Sequence, residues 1–419
     1  MRYAIVGNSA AAVGAIEAIR SADGKGPITV ISGEPYGVYS RPLISEYLAG
    51  ETSIERMAYR PADFYEKSGV EAILGVSAES IDFDAKAVKL ADGRSVLYDK
   101  LLIATGGKPF VPPIAGLDKR DVFTFTTLAD AMRLEEALER GIEDFVIVGG
   151  GLIGLKCAES LHKRGAKVTV VELADRVMAA VMDVEAGRIV ERGLARAGIE
   201  VITGDTVEEI LGGADSITGV RLKKGRELSC RAVVIAIGVA PNLDLVKGSP
   251  VEVNRGILVD DSMRTSVPDA YAAGDVAEGR DMLLGVARVL PIWPNAYVQG
   301  RIAGFAMAGS PRDFPGSLSM NSIELFGTPV INVGITDPCE EGYEIKTRLE
   351  GNVYRKIVLK DGRLVGAIAV GAIDRAGILS GLVRDGIDVS AFKEELLKED
   401  FGHADIPAEV REGRLYALR

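Results

Sequence analysis

The chain has 419 residues, 47% of them hydrophobic, and a formal net charge of −11 at pH 7. This length and apolar content allow more than one buried core. The acidic excess argues against nucleic acid or an anionic membrane surface as a partner. The three cysteines, Cys157, Cys230 and Cys339, form no CxxC pair, so they predict no disulfide framework and no metal or iron–sulfur site. They fit a reducing compartment, and we expect a cytoplasmic protein. No apolar run is long enough to span a bilayer, so we expect no membrane insertion.

The first predicted elements are a strand at residues 3–6, a helix from Ala10 to Arg20 and a strand at residues 28–32. The turn between the first strand and the helix, Gly7 to Ala12, keeps one of the three glycines of the dinucleotide-binding pattern. A two-stranded excursion is predicted around residues 73–97. This order of elements predicts a strand–turn–helix–strand nucleotide unit.

A second unit of the same kind runs from Asp144 to Glu172, and its turn, Gly149-Gly150-Gly151-Leu152-Ile153-Gly154, has the full spacing of the pattern. The first glycine makes the turn, the second lets a pyrophosphate contact the backbone, and the third lets helix and strand pack closely. Glu172 would accept hydrogen bonds from an adenosine ribose and repel a 2′-phosphate, which favours NAD(H) over NADP(H). Arg176 leaves NADP(H) open, because it could turn toward such a phosphate.

Two nucleotide units on one chain imply two nucleotide cofactors that exchange something, most simply a hydride. The chain from 238 to 312 is no third unit, although a helix with alternating small residues is predicted to begin near Asn295. Beyond Pro315 the pattern is rich in strands, with a hairpin turn at 360–363 and helical stretches around 376–384 and 392–398. We therefore predict an α/β fold with two Rossmann-like dinucleotide-binding domains, the first of them discontinuous, plus a C-terminal α+β domain.

Three short motifs carry a family resemblance: Ala104-Thr105-Gly106, Ala236 to Asn242, and Ala272-Ala273-Gly274-Asp275. In order and spacing they resemble the motifs of the FAD/NAD(P)-binding oxidoreductases of the pyridine nucleotide-disulfide reductase superfamily, and the match covers nearly the whole chain. The resemblance implies that residues 1–111 and 238–312 bind FAD and that residues 112–237 bind NAD(H). Residues 313–419 would then form an interface domain and make a homodimer.

The same resemblance assigns individual residues to the cofactors. Those assigned to FAD are Gly7, Ser9, Ala10 and Glu34 at the adenosine and pyrophosphate end, Arg41 and Pro42 at the flavin, Thr105 and Gly106 near the adenine, Gly274 and Asp275 at the ribityl–pyrophosphate arm, and Trp293 beside the flavin. Those assigned to NAD(H) are Gly149, Gly151, Leu152, Ile153, Gly154 and Glu172, and Gly238 is a further cofactor-binding residue. As the only tryptophan, Trp293 could equally be an interface aromatic.

Two departures from the family pattern bear on the reaction. The stretch from Ser32 to Gly50 has no cysteine, and neither His162 nor His403 lies in the C-terminal His-Glu setting that protonates a leaving thiol, so thiol chemistry is not expected. Where relatives have a lysine and a glutamate near the flavin, this chain has Glu46 and Lys156. We take these as catalytic and hypothesise that they form an ion pair near flavin N5. The alternative is two unrelated helix-surface charges.

The segments 39–42, 151–156 and 374–377 most resemble NADH:acceptor oxidoreductase subunits, the flavin part of NADH-linked nitrite reductases, and rubredoxin or ferredoxin reductases. The main prediction is an FAD-dependent NADH:acceptor oxidoreductase that exchanges electrons with an iron–sulfur protein or complex subunit. One alternative is a stand-alone NADH oxidase or quinone/rubredoxin reductase. The other is an NADH-sensing flavoprotein that acts as a binding partner.

Overall fold

The computed structural model describes residues 1–213 and 215–417. They form two compact units of two chain segments each: the first unit is Met1–Phe110 with Val239–Ser317, and the second is Val111–Gly238 with Leu318–Arg419. The separation of residues 313–419 as a domain of their own stays a prediction. Within the described residues, no helix combines the length and the apolar character needed to cross a membrane.

The α-helices of the described chain are numbered in chain order. They are α1 Ala10–Ala22, α2 Ile44–Leu48, α3 Phe64–Lys67, α4 Leu128–Glu139, α5 Leu152–Lys163, α6 Val184–Arg196, α7 Trp293–Met307, α8 Gly377–Arg384 and α9 Ala408–Ala417. The helix predicted at 392–398 is reduced to a 3-10 turn at Glu395–Leu397.

A five-stranded parallel sheet forms the centre of the first unit. The first strand and its helix begin where the sequence predicted, because the run Tyr3–Val6 is apolar and fully buried between two neighbouring strands. In spatial order the strands are Ala270–Ala272, Lys100–Ile103, Tyr3–Val6, Ile28–Ser32 and Val70–Leu74.

The predicted two-stranded excursion around 73–97 is wrong. Val70–Leu74 joins the parallel sheet, and three strands form a separate antiparallel sheet at Ala78–Asp82, Ala87–Leu90 and Ser95–Leu97. The dipeptide Asp92-Gly93, with Gly93 at φ +86°, makes the second hairpin turn. That dipeptide is a hairpin signal that the prediction did not use.

Short strand pairs complete the first unit. Gly107–Pro109 pairs with Val239–Pro241 where the chain leaves the unit and returns to it. The others are Ile257–Leu258, Ala277–Arg280 and Ala287–Arg288.

Helices α1 and α7 pack backbone to backbone in the first unit. A Cβ at Gly300 would lie 2.0 Å from the carbonyl oxygen of Ala11, and one at Gly304 would lie 2.5 Å from that of Ala15. The small residues predicted for this helix are therefore what lets α7 approach α1. Around the crossing, Ile16 and Ala303 are fully buried in the core of the unit.

The second unit contains its own five-stranded parallel sheet. In spatial order its strands are Glu200–Thr203, Lys167–Glu172, Asp144–Val148, Ala232–Ile235 and Val122–Thr124. A three-stranded antiparallel sheet of Val207–Gly212, Ile217–Leu222 and Glu227–Ser229 packs in the same core.

The chain beyond Leu318 forms a five-stranded antiparallel sheet, also part of the second unit. The predicted hairpin turn at 360–363 is confirmed, because Asp361 (φ +50°) and Gly362 (φ +74°) form its two central residues. In spatial order the strands are Met320–Leu325, Thr328–Gly334, Arg363–Val370, Val353–Lys360 and Glu344–Glu350.

Candidate dinucleotide-binding sites

The predicted FAD residues of the first unit gather at one edge of its parallel sheet. The register pairs Val6 with Ile31 and Ile103, and Ile103 with Ala272, so these strands end side by side. Gly7, Glu34, Gly106 and Asp275 all lie within three residues of those strand ends. Ligands of open parallel sheets bind at this carboxyl edge.

The turn after the first strand has no room for a side chain. Gly7 has φ +120°, and a Cβ there would lie 2.0 Å from the carbonyl oxygen of Ala104. The chain then enters α1 through Ser9, whose side chain makes no capping hydrogen bond, and the first turn of α1 carries no acidic residue. The first N–H groups of α1, beginning with that of Ala10, are thus left for a ligand, which suits a pyrophosphate.

Two other helices, α4 and α6, are capped by their own side chains, whereas α2, α3, α7 and α8 are not. Thr127 and Asp130 form a reciprocal capping box on α4, and Asp183 accepts from the backbone N–H of Ala186 at the start of α6. In α5, the helix between them in sequence, the N-cap is Gly151, with no side chain and no acid in the first turn. The predicted nucleotide helices therefore lack the caps that the fold supplies to α4 and α6.

Arg41 links two acidic residues of the predicted FAD site. It forms a salt bridge with Glu34, whose other oxygen accepts from the hydroxyl of Tyr39 at 2.7 Å. Burial acts to lower the pKa of Arg41, but the neighbouring Tyr39 and Glu34 raise it, and Asp275 raises it by a smaller amount. Arg41 therefore stays charged, and its field reaches the carboxyl group of Asp275.

Asp275 carries the strongest perturbation at this edge. Burial raises its pKa to about 6, and the charge of Arg41 offsets only part of that effect. A carboxyl group that is costly to ionise in the free protein is well placed to gain from a ligand hydroxyl that donates to it. This fits the predicted contact with the ribityl arm of FAD.

Replacing Asp275 by Asn is expected to stabilise the FAD-free protein above pH 6. Since the folded-state pKa lies above the unfolded value of 3.8, ionisation of Asp275 destabilises the fold; this loss builds up between about pH 4 and pH 6 and stays constant above pH 6, and Asn cannot ionise. The gain should be about 1–3 kcal/mol at pH 7.5 and should vanish near pH 4. Thermal unfolding of both FAD-free proteins at the two pH values measures it. An equal difference at both values would show that ionisation of Asp275 is not the cause.

The backbone of the Gly274-Asp275 motif is held by a residue that the sequence interpretation missed. Gln299 is 3% exposed; its Oε1 accepts from the N–H of Gly274 at 2.8 Å, and its Nε2 donates to Ser317 at 3.2 Å. The sequence did carry a signal for Gln299, because it is a lone polar residue on the small-residue face of a predicted helix. A Cβ at Gly274 would lie 3.5 Å from the Cβ of Ala296, so the first turns of α7 adjoin the motif.

The remaining predicted residues of the first unit have mixed environments. Thr105 donates to the carbonyl of Asn242 at 2.8 Å, which braces the return of the chain into the unit. Gly106 has φ +68°, and a Cβ there would meet open space.

Pro42 lies exposed in a 3-10 turn. Glu46 lies in the first turn of α2 and accepts from the hydroxyl of Ser45 at 2.7 Å.

The three glycines of the second turn have the steric properties predicted for them. Gly149 has φ +114°, and a Cβ there would lie 2.4 Å from the carbonyl oxygen of Ala236. A Cβ at Gly154 would lie 2.0 Å from the carbonyl oxygen of Gly149, whereas one at Gly151 would meet nothing within 4 Å. The open space lies at the N-terminus of α5, which begins with Leu152 and Ile153. A pyrophosphate has room there.

Glu172 is fixed at the end of its strand, beside that turn. Its carboxylate accepts from the N–H of Gly150 at 2.5 Å and from that of Ala174 at 2.7 Å. Arg176 is engaged elsewhere, because it donates to the carbonyl of Met182 at 3.2 Å and pairs with Asp175 at 2.8 Å. This arrangement favours a ribose diol over a 2′-phosphate. Gly238, at the end of the segment, has φ +122° and open space around it.

Lys156 already has a carboxylate partner in its own helix. Its Nζ lies 2.6 Å from Glu159, and the other oxygen of Glu159 accepts from the N–H of Phe326 at 2.7 Å. Glu46 lies in the other unit, so the proposed pair of Glu46 and Lys156 stays a prediction. The sequence interpretation did not consider Glu159 as a partner, although the i, i+3 spacing was the signal for it.

Neither buried thiol is suited to redox chemistry. Burial raises the pKa of Cys157 far above its usual range and that of Cys230 to about 12, so neither supplies a thiolate at neutral pH. Cys339 is exposed, on the segment between two C-terminal strands.

Replacing Cys157, Cys230 and Cys339 together by Ala is expected to leave flavin reduction by NADH within about twofold of the wild-type rate, a small change in barrier. Stopped-flow bleaching of the flavin absorbance measures this rate. A tenfold loss in a folded, FAD-replete variant would instead place a thiol in the reaction.

Comparisons with known proteins were made on sequence and on structure. A family model described as pyridine nucleotide-disulphide oxidoreductase matches residues 1–300, and one described as the rubredoxin NAD+ reductase C-terminal domain matches residues 320–387. The epsilon subunit of the NADH-dependent phenylglyoxylate dehydrogenase of Aromatoleum evansii is 34% identical over 404 residues, covering 94% of each chain.

Two further similarities differ in coverage. The NAD(P)H nitrite reductase of Bacillus subtilis (strain 168) is 33% identical over 92% of this chain, which spans only 47% of that protein. A crystal structure of the covalent putidaredoxin reductase–putidaredoxin complex superposes with a TM-score of 0.86 at 26% identity, covering 100% of this chain and 99% of that one.

Proposed function

Because this chain belongs to the pyridine nucleotide-disulphide oxidoreductase family, we propose that it is an FAD-dependent NADH:acceptor oxidoreductase that passes electrons to an iron–sulfur protein. The family resemblance, the cofactors FAD and NAD(H) and the NADH-dependent oxidoreductase class, all expected from the sequence, are confirmed by the family match. The identity of the acceptor and the roles of single residues are what the proposal adds.

One observation supports the proposal most strongly: each unit has a glycine turn at the carboxyl edge of its parallel sheet that leads into a helix without a side-chain cap. In the first unit this helix is α1 behind Gly7, and in the second it is α5 behind Gly149. Two such positions suit two dinucleotides. When bound, FAD supplies the conversion between the electron pair of a hydride and the single electrons that an iron–sulfur centre takes.

The residues of the chain bind and orient the two nucleotides. In the first unit we assign the pyrophosphate of FAD to the N-terminus of α1, the adenosine end to Glu34, and the flavin and its ribityl arm to Arg41 and Asp275. In the second unit the pyrophosphate of NADH lies on the N-terminus of α5 and its ribose on Glu172. The cation Arg41 stays charged between its acidic neighbours, so it can donate hydrogen bonds to the flavin end of FAD.

Lys156 and Glu46 are the two residues that we propose for the reaction itself. The ammonium group of Lys156 would stabilise negative charge where it develops during reduction. Its pair with Glu159 holds the side chain in one position.

The choice of acceptor rests on the relatives. The match to a rubredoxin reductase C-terminal domain and the similarity to a reductase crystallised with putidaredoxin both favour an iron–sulfur protein. The similarity to a dehydrogenase subunit favours a complex in which other subunits carry the clusters. We place the enzyme in the cytoplasm, since its three cysteines are free.

Anaerobic stopped-flow measurements test the proposal. NADH should bleach the bound flavin. A rubredoxin or a [2Fe–2S] ferredoxin, added without oxygen, should then reoxidise the flavin faster than dissolved oxygen does in a separate aerobic measurement. Slow bleaching that persists in air would favour the NADH-sensing alternative. Reoxidation by oxygen that outpaces every iron–sulfur protein would favour a stand-alone oxidase.

A further inference from the structure

Four side chains of the first unit are linked to one another, and one of them, Tyr59, contacts Trp293, the only tryptophan of the sequence. The ring of Tyr59 contacts that of Trp293 edge to face, with centroids 5.1 Å apart and planes at 85°. The guanidinium of Arg60 lies 4.3 Å from the centroid of the Tyr59 ring. Tyr59 thus contacts both a cation and the indole.

Glu17 of α1 joins this group to helix α7. One oxygen of its carboxylate lies 2.8 Å from Arg60, and the other accepts from the hydroxyl of Tyr297 at 2.6 Å. Burial opposes ionisation, but the hydrogen bonds from Arg60 and Tyr297 hold the pKa of Glu17 below its usual value. Tyr297 is four residues beyond Trp293, so both lie on one face of α7. The contacts run from Trp293 through Tyr59, Arg60 and Glu17 back to Tyr297 on that face.

The backbone fixes where this group of side chains lies. A Cβ at Gly14 would lie only 2.3 Å from the carbonyl oxygen of Tyr297, so α1 and α7 touch one turn before Glu17. Ala296, three residues beyond Trp293, adjoins Gly274 of the predicted FAD motif. Trp293 therefore lies at the N-terminus of α7, on the side of the helix that faces this motif.

We propose that Glu17, Arg60, Tyr59 and Tyr297 form a clamp that fixes the ring of Trp293 as one wall of the flavin site. We call these four residues the Trp293 clamp; they are positioning residues, because they act through Trp293. The inference rests on the proposed function in so far as FAD occupies the site. It goes beyond the assigned cofactor residues, since none of the four was among them.

Fluorescence of Trp293 tests the clamp directly, because the chain has one tryptophan. In FAD-free protein, Tyr59→Leu should lower the anisotropy of the indole emission and shift it to the red, whereas Tyr59→Phe keeps the ring and should match the wild type. Glu17→Gln, a milder change, should give a smaller shift in the same direction. The control is Asp23→Asn, which removes another tyrosine-bound carboxylate next to the end of α1, 2.9 Å from the hydroxyl of Tyr3.

With FAD added, Tyr59→Leu should raise the fluorescence of the bound flavin, because a loosened indole quenches it less, and should weaken FAD binding about fivefold. Unchanged anisotropy in FAD-free Tyr59→Leu would overturn the clamp. Lowered anisotropy with unchanged flavin fluorescence and affinity would overturn the placement of Trp293 at the flavin. Because the anisotropy is read without FAD, failure of the clamp is distinguishable from failure of the proposed function, which would appear as wild-type protein that binds no FAD.

Discussion

Gly151→Asp is expected to give a yellow, folded enzyme that NADH no longer reduces. A Cβ at Gly151 meets nothing within 4 Å, and an aspartate at the N-cap of α5 would accept from the N–H groups that we assign to the pyrophosphate of NADH. Its charge would also repel the phosphates. At about 4 Å and an effective dielectric constant near 20, that repulsion is worth about 4 kcal/mol, so NADH binding should weaken on the order of a hundredfold or more. Stopped-flow reduction over a range of NADH concentrations measures the loss.

The controls separate charge from size and position. Gly151→Asn adds the same bulk and can cap the helix without a charge, so it should bind NADH better than Gly151→Asp. Gly377→Asp makes the same charge change at the start of α8, where a Cβ also has open space, and should leave reduction unchanged. Wild-type reduction by Gly151→Asp would show that α5 does not bind the pyrophosphate. Dithionite should bleach all variants equally, because it needs no nucleotide site.

The backbone of both nucleotide units was predictable from the sequence because local patterns determine it. The turn at Gly149 needs a positive φ and close helix packing, and only glycine satisfies both, so its spacing was informative. The first turn was harder, since Ser9 and Ala12 replace two glycines there and the motifs farther along the chain had to support it. The hairpin at Asp361-Gly362 was found by its turn residues, and the one at Asp92-Gly93 was overlooked although it has the same signal.

What the sequence could not show is which side chains from distant segments meet in the fold. Glu17, Tyr59 and Tyr297 lie far apart along the chain, and nothing in their local patterns predicts that they share contacts. The same holds for Gln299, whose hydrogen bond to Gly274 depends on how α7 packs. Burial decides such cases as well: the raised pKa of Asp275 comes from its surroundings and not from its neighbours in sequence.

In contrast to Gly151→Asp, Ser9→Asp is expected to lose FAD. The protein should be colourless and as stable as the wild type. The N-cap of α1 has an extended backbone (φ −138°, ψ −158°) and no side-chain cap, so aspartate can cap the helix and interact favourably with its dipole. The same charge lies where we assign the pyrophosphate of FAD, and it should weaken FAD binding on the order of a hundredfold. Titration of FAD-free protein with FAD measures the affinity. Ser9→Asn caps without charge and should stay yellow.

The pair of variants tests the two-site assignment as a whole. Ser9→Asp changes only the first unit, so the FAD-free variant should still bind NADH by calorimetry, whereas Gly151→Asp should bind FAD and lose NADH. If one nucleotide site served both cofactors in turn, either substitution would weaken both ligands. Loss of both ligands in a variant that unfolds at the wild-type temperature would therefore contradict the assignment, because damage to the fold could not explain it.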